Sequence, residues 1–311
     1  MGKKQQKIDG FDKIMKPMNY NPKYLLDRKG NPTGTKYQNL IKSYIVEDKE
    51  DGLRGFIFVC PVAGRGGLGN KVTVESYTSG GVAIPNAKFI SQAIKKAWIE
   101  ISDGETNLRR GFVLDGEFTC KNWNDSNSAV KTQTFTEELA QGLQFKTWDI
   151  IPWADWSIRE CGLSQDRRKL LLWKVYKVIK KQTDKIIYQP YERYNSLSLK
   201  DSHVQAHLQA AVKRGAEGIV IKEMHGLYLF KKCRVWMKLK PYLEADMTII
   251  GAEEECDKNG KPKNSLGALV VKGVIDGKKI KTNVGGGYKR KERIDLWKLH
   301  KKGKLIGRVL S

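Results

Sequence analysis

The run VEDKEDGLRGF, Val46 to Phe56, sets a single lysine, Lys49, inside a cluster of acids and just ahead of Asp51-Gly52. Taken alone it reads as a solvated charged turn between the apolar pieces YIV and FIFV, because Asp-Gly is a strong turn former. A second reading is a presented nucleophile, and the rest of the chain has to choose between them.

Composition narrows the partners first. The chain has 311 residues and a formal charge of +23, from 57 Lys and Arg against 34 Asp and Glu. That length can bury one or two cores, and the positive excess goes well beyond what solubility needs. A polyanionic partner is the simplest explanation. The cysteines, Cys60, Cys120, Cys161, Cys233 and Cys256, are scattered without a CxxC pair or a nearby histidine at zinc-ligand spacing. Reduced thiols in a cytoplasm are expected, rather than a disulfide framework or a structural zinc. No apolar run approaches the length of a membrane span, and MGKKQQKIDG lacks the apolar core of a signal peptide. A soluble cytoplasmic protein with no membrane partner is expected. MGKKQQ opens like a myristoylation site, but Gln6 stands where Ser or Thr is required.

The patterning is α+β. Strands are predicted at YIVED, RGFIFVC, KVTVESYT, GFVLDGEFTC, FKTWDII, GIVIKE and VWMKLKPY, which are short, β-branched or aromatic. Helical spacing marks NAKFISQAIKKAWIEISD and DSHVQAHLQAAVKRGAE. The texture changes near Tyr242. ADMTIIGAEEE, LGALVVKGVIDG and KKIKTNVGG read as three strands, followed by a helix in KRKERIDLWKLH and a strand in LIGRVLS. Strand, strand, strand, helix, strand is the order of an OB barrel lacking its last strand. Domains are therefore placed at 1–241 and 242–311, with a boundary around Pro241 to Glu244 and an unpaired sheet edge at the end of the second.

Four further pieces follow Lys49 in order. These are LDGE (Leu114–Glu117), WD (Trp148-Asp149), EGIVIK (Glu217–Lys222) and WMKLKP (Trp236–Pro241). Each is weak alone, but the ordered set from about Glu47 to Pro241 resembles the nucleotidyltransferase motifs of ATP-dependent DNA ligases, the small bacteriophage enzymes in particular. The resemblance implies a nucleotidyltransferase (ATP-grasp-like ligase) domain followed by a short OB-fold domain. It also implies an enzyme that uses ATP and Mg²⁺ to seal nicked double-stranded DNA, acting as a monomer in a cytoplasm, that of the host cell if the source is viral.

The same resemblance assigns the residues. Lys49 becomes the nucleophile that attacks the α-phosphate of ATP, giving a lysyl-AMP and releasing pyrophosphate. An ordinary lysine, with a pKa of about 10.4, is almost wholly protonated at neutral pH. Bound Mg²⁺ with Lys238 and Lys240 would supply the cations that disfavour its charged form and neutralise the transferring phosphate. Glu217 matches a metal ligand, while Glu117 binds either metal or ribose. Arg54 matches a sugar-contacting arginine, Glu47 a position that reads adenine, and Lys222 a contact to phosphate of nucleotide or DNA. Trp148 either stacks on adenine, where the family usually has Phe or Tyr, or packs in the core. Asp51-Gly52 sets the turn that presents Lys49, and Asp149 is structural.

One departure is plain. The family commonly has a Ser-Arg pair after the first motif, followed by a loop and Ile-Pro. In ESYTSGGVAIPN, Ile84-Pro85 survives but Thr78-Ser79 brings no arginine. Three other patterns are set aside. GRGGLG, Gly64 to Gly69, precedes another strand rather than a helix, so it reads as a hairpin turn with Arg65 near DNA and not as a dinucleotide loop. HVQAH spaces His203 and His207 like metal ligands but lacks the glutamate of HExxH, so it reads as helix surface. The lysine-rich stretch from Lys258 to Arg308 reads as a surface that tracks DNA. Among proteins sharing the intermediate, capping enzymes typically lack the lysine at Lys222 and the tryptophan at Trp236, and RNA ligases usually have Ser or Thr where Leu53 stands. NAD-dependent ligases carry an extra N-terminal domain. A catalytically inactive DNA clamp is the alternative from another class.

Overall fold

Two sheets with opposed apolar faces organise the first unit. The computed structural model describes residues 13–21, 43–64, 67–195, 200–241, 245–257, 259–275 and 277–310. Its contacts divide the chain into Met1–Pro241 and Tyr242–Ser311. Arg65 and Lys258 lie outside the described residues.

The first sheet has the order β1-β10-β9-β2-β8. It contains β1 (Lys16–Asn19), β2 (Ser43–Lys49), β8 (Glu192–Asn195), β9 (Gly218–Glu223) and β10 (Lys232–Leu239). Helix α6 (Asp201–Lys213) covers one face. Its Val204, Leu208 and Ala211 pack on Tyr44, Val46, Ile219, Ile221, Met237 and Leu239. The second sheet has the order β4-β3-β5-β6-β7. It contains β3 (Leu53–Gly64), β4 (Gly67–Thr78), β5 (Phe112–Thr119), β6 (Gln144–Pro152) and β7 (Ile186–Tyr188). Helices α1 (Lys88–Gly104) and α5 (Gln165–Lys180) bury Ile90, Ile94, Trp98, Leu171, Leu172, Val175 and Ile179 against Ile57, Val59, Leu114, Phe145 and Ile150. The short helices α2 (Trp123–Lys131), α3 (Glu137–Gly142) and α4 (Trp153–Ile158) complete this unit. Between the inner faces lies an aromatic layer of Phe56, Tyr77, Trp156, Tyr228 and Trp236.

Several elements lie beyond those the sequence predicts, β1 and α5 foremost. β1, in a region to which the sequence assigned nothing, pairs in parallel with β10, with Lys16 opposite Lys232 and Asn19 opposite Lys238. α5 was not predicted, although Leu171, Leu172, Val175 and Ile179 are helically spaced. Exposed Leu170 and Trp173 sit in the same LLLW run and blur the stripe. The glycine-rich run does join two antiparallel strands, with Gly64 opposite Gly67.

The second unit is a sheet of order β13-β12-β11-β14. It comprises β11 (Met247–Cys256), β12 (Pro262–Ile275), β13 (Lys278–Val284) and β14 (Val309–Leu310), with α7 (Arg290–Lys301) between the last two. A meander of three strands whose first also pairs with the fourth is OB-like. Its core is Met247, Ile249, Leu266, Leu269, Val271, Trp297 and Leu305. The predicted strand LIGRVLS shrinks to Val309–Leu310, because the residues before it form turns ending at Arg308.

Candidate active site

Strand alternation places the motif residues. Tyr44 and Val46 of β2 face α6, so Glu47 and Lys49 point the other way, toward the second sheet. The same parity sends Lys222 of β9 and Trp236 of β10 to that inner face, because Ile219, Ile221, Met237 and Leu239 hold the outer one. From the facing sheet come Arg54, Glu117 and Trp148. Together Pro17, Glu47, Lys49, Arg54, Glu117, Trp148, Lys222 and Trp236 line one cleft, with Asp48, Glu50 and Val220 also on its wall. Lys238 lies on the same face of β10, half-buried, without lining the cleft.

Lys49 closes β2 at the mouth of this cleft. Its ammonium is ion-paired with Glu217, and the same carboxylate takes Lys240. The Glu217 amide donates to the Lys49 carbonyl at 2.8 Å, so the carboxylate is tied to the strand end that carries the lysine. Burial alone would raise the Glu217 carboxyl, but hydrogen bonds from Lys240 and Lys49 outweigh it and hold the group below its ordinary range.

The acids around Lys49 already have other partners. Asp48, on the opposite face of β2, accepts two hydrogen bonds from Arg214, at 3.0 Å from Nε and 2.7 Å from Nη2. Glu50 accepts from Lys146 at 2.6 Å. Glu47 is ion-paired with Lys222 at 2.5 Å and with Lys169. The acidic run therefore does not neutralise Lys49, which takes its carboxylate from the loop before β9. Gly52 serves the turn by close approach, since a Cβ there would stand 2.5 Å from the Phe118 carbonyl and 2.8 Å from Cγ of Glu117.

The floor and walls are built from charge against aromatic rings. Arg54 donates to both oxygens of Asp115, at 2.9 Å and 2.6 Å, and to the Met15 carbonyl at 2.6 Å. Tyr228 donates to the same carboxylate at 3.0 Å. The guanidinium lies 5.9 Å from the Trp148 ring and 5.8 Å from Trp236, and Lys222 lies 4.3 Å from Trp236. A bulge in β6 leaves Trp148 without an opposing residue, since Asp115 pairs with Asp149 and Gly116 with Thr147. It lets Trp148 line the cleft while Asp149 turns to Arg168, buried with it and bonded at 2.8 Å and 3.1 Å. The Trp148 indole N–H is buried with no hydrogen-bond partner among the described residues, a donor open to a ligand.

Glu117 is buried, and that burial pushes its carboxyl up to about 8 against the pull of Lys49 and Arg54; the charges of Asp115 and Glu217 push the same way. Two carboxylates that repel each other at the edge of a cleft suit a divalent cation. Among the described residues no group of three or more His, Cys, Asp or Glu forms a metal cage. Mg²⁺ commonly takes only one or two carboxylates, with waters and substrate phosphates completing its shell, so Glu217 and Glu117 fit it.

Several contributors were not in the sequence reading. Lys169, Asp115, Tyr228, Met15 and Pro17 all support the cleft. Only Asp115, inside LDGE, stood within a motif. His203 and His207 both turn toward Tyr194, His203 stacked at 6.4 Å and His207 Nε2 at 2.5 Å from the hydroxyl. The run after β4 folds into a turn at Thr78, whose Oγ1 accepts from the Gly80 and Val82 amides.

The family model described as ATP dependent DNA ligase domain matches residues 31–240. The DNA ligase of Enterobacteria phage T4 is 25% identical over 170 residues, covering 53% of this chain and 31% of that ligase, so the chain matches under a third of its relative's length. Among solved structures, the one described as Pmar-Lig_Pre aligns with a TM-score of 0.75 at 22% identity, over 96% of this chain and 61% of that one. The ATP-dependent DNA ligase from bacteriophage T7, in complex with ATP, aligns with a TM-score of 0.53 at 20% identity, over 94% of this chain and 86% of the other. The structural likenesses establish a shared fold. The family match spans about two thirds of the sequence and takes in Lys49, Glu117, Glu217 and Lys240. This chain belongs to the ATP-dependent DNA ligase domain family.

Proposed function

We propose that this chain seals nicks in duplex DNA with ATP through a covalent lysyl-AMP at Lys49. The observation that carries the reading is the placement of Lys49 at the mouth of the cleft, on a carboxylate that it shares with Lys240. In the first step the Lys49 amine attacks the α-phosphorus of ATP. A P–N bond forms, the bond to the β-phosphate breaks, pyrophosphate leaves, and the amine sheds a proton. In the second step the 5′-phosphate oxygen at the nick displaces Lys49 from AMP. In the third, the 3′-hydroxyl attacks the activated 5′-phosphorus, AMP leaves, and the phosphodiester closes.

The chain's own residues divide this work by position. Lys238, on the inner face of β10, and Lys240, just past its end, supply positive charge for the phosphate oxygens. Trp148 and Trp236 offer apolar ring surface for the base, and the free indole N–H of Trp148 is a donor for it. Arg54, locked on Asp115, is fixed for a contact to sugar. Glu47 faces the base and Lys222 the nucleotide. Glu217 and Glu117 would hold Mg²⁺, which when bound would neutralise phosphate charge and put a cation beside Lys49 that disfavours its protonated form. In the OB-like unit, the exposed Lys272, Lys278, Lys279 and Lys281 on β12 and β13 offer further contacts to DNA phosphates.

Intact-protein mass after incubation with ATP and Mg²⁺ tests this directly. The expected result is a gain of one AMP, none in Lys49→Ala, and discharge of the adduct by nicked duplex DNA into sealed product. Absence of any adduct with ATP, GTP or NAD would overturn the ligase reading.

A further inference from the structure

Glu47 is 3% exposed, and two ammonium groups close on it. Lys222 lies 2.5 Å from Oε2, on the cleft side against Trp236, and Lys169 is ion-paired with Oε1. Lys169 comes from α5, belongs to none of the ligase motifs, and is 2% exposed. Its Nζ lies 5.1 Å from the ring centroids of both Tyr188 and Tyr191, so aromatic faces support its charge from behind.

A second cation here is more than neutrality requires. One lysine suffices to balance one carboxylate, and a buried ammonium carries a desolvation penalty that an apolar side chain of similar volume avoids. The strain is visible at Lys222, whose amine burial pushes down to about 8, with the charge of Lys169 acting in the same direction. What the second cation does achieve is geometric. With an ammonium ion-paired to each oxygen, the Glu47 carboxylate is held in one orientation, and a carboxylate accepts hydrogen bonds without donating any. Such a group accepts a hydrogen bond from an exocyclic amino group and repels a carbonyl oxygen. Adenine carries an amino group at its 6-position, where guanine carries a carbonyl.

We propose that Lys169 is a positioning residue that sets nucleobase choice, by fixing Glu47 as the acceptor for the 6-amino group of adenine. The inference rests on the reading of the cleft as the site of ATP. It predicts a coupling between Lys169 and one substituent of the base, which a purely structural role would not produce.

The test measures lysyl-nucleotide formation with ATP, GTP and the triphosphate of purine riboside, which lacks the 6-amino group. Wild-type protein should favour ATP over the deamino analogue by about tenfold or more, the worth of a hydrogen bond to a charged group. Lys169→Met should collapse that ratio to within about threefold, through KM for ATP rather than kcat, and Lys169→Arg should keep most of it. Each ratio is internal to one protein, so any loss of folded fraction cancels, as in a double-mutant cycle. Should Lys169→Met not fold, Lys169→Gln is read the same way. The inference is overturned if wild type does not discriminate ATP from the deamino analogue, or if a folded variant without the lysine discriminates as well as wild type. An adduct missing with every nucleotide would sink the ligase reading itself, a separate failure.

Discussion

Two successive inward-facing positions of β2, Glu47 and Lys49, carry the same arrangement at different depths. At the mouth of the cleft, Glu217 sits between Lys49 and Lys240, with side-chain exposures of 29%, 23% and 46%. Two residues of strand, about 7 Å, separate Lys49 from Glu47, and at the floor Glu47 sits between Lys169 and Lys222, each 2% exposed or less. One carboxylate bridging two ammonium groups is common to both. Solvent decides what each can do. At the mouth, water competes for the lysines, so the ion pairs exchange at little cost, and under the proposed function Lys49 can leave Glu217 to attack the nucleotide. At the floor the three groups are shut away from water, and the arrangement is fixed from the time the chain folds.

Removing the central carboxylate of each cluster should separate the two most sharply. Glu47→Ala leaves two ammonium groups buried without a partner and should cost about 3–5 kcal/mol in chemical denaturation. The cost should shrink as pH rises past about 8, since Lys222 can then shed its proton. Glu217→Ala should change stability by about 1 kcal/mol or less, yet slow lysyl-AMP formation by about a hundredfold or more, because it removes the group that orients Lys49 and Lys240. Equal stability losses at both positions would show that burial does not distinguish the clusters.

Much of this contrast was legible in the sequence, and the illegible part has a common cause. Lys49, Glu217 and Lys240 fall in ordered motifs whose spacing survives in one dimension. The α+β class, the hairpin at the glycine run and the OB-like strand order followed from two-residue and helical periodicities. Lys169 did not, because it lies in RRKLLLW, where a buried lysine and an exposed one spell the same letter. Its burial depends on β2 and β7 arriving from far away in sequence. The role of β1 was hidden for a similar reason. Four residues that pair in parallel with a distant strand carry no local pattern, yet the adjacent Met15 carbonyl fixes Arg54.

Glu117 offers a gentler way to sharpen the comparison, because it stands beside the mouth cluster but is buried like the floor. Its folded carboxyl is raised to about 8 from an ordinary 4.5, chiefly by burial. A raised acid binds its proton more tightly when folded. Its stabilising contribution is therefore complete below about 4.5 and is lost as pH rises toward about 8. Unfolding free energy measured without metal should fall across that window, and Glu117→Gln should flatten the slope. Added Mg²⁺ should flatten it too, since a ligating carboxylate is ionised already. A slope unchanged by both would place the titration elsewhere and weaken the assignment of Glu117 to metal.

The smallest effect belongs to the other face of the same strand. Asp48 stands next to Lys49 and also borders the cleft, but alternation turns its carboxylate to Arg214 beyond the end of α6, whose side chain is 56% exposed. A bidentate pair in that much water contributes about 1 kcal/mol or less. Arg214→Ala should therefore leave both thermal unfolding and adduct formation within that margin. The outcome tests parity itself. If removing Arg214 slowed adenylylation as much as removing Glu217, the acids of the opening run would act on Lys49 collectively, and the division of β2 into a chemical face and a structural face would fail.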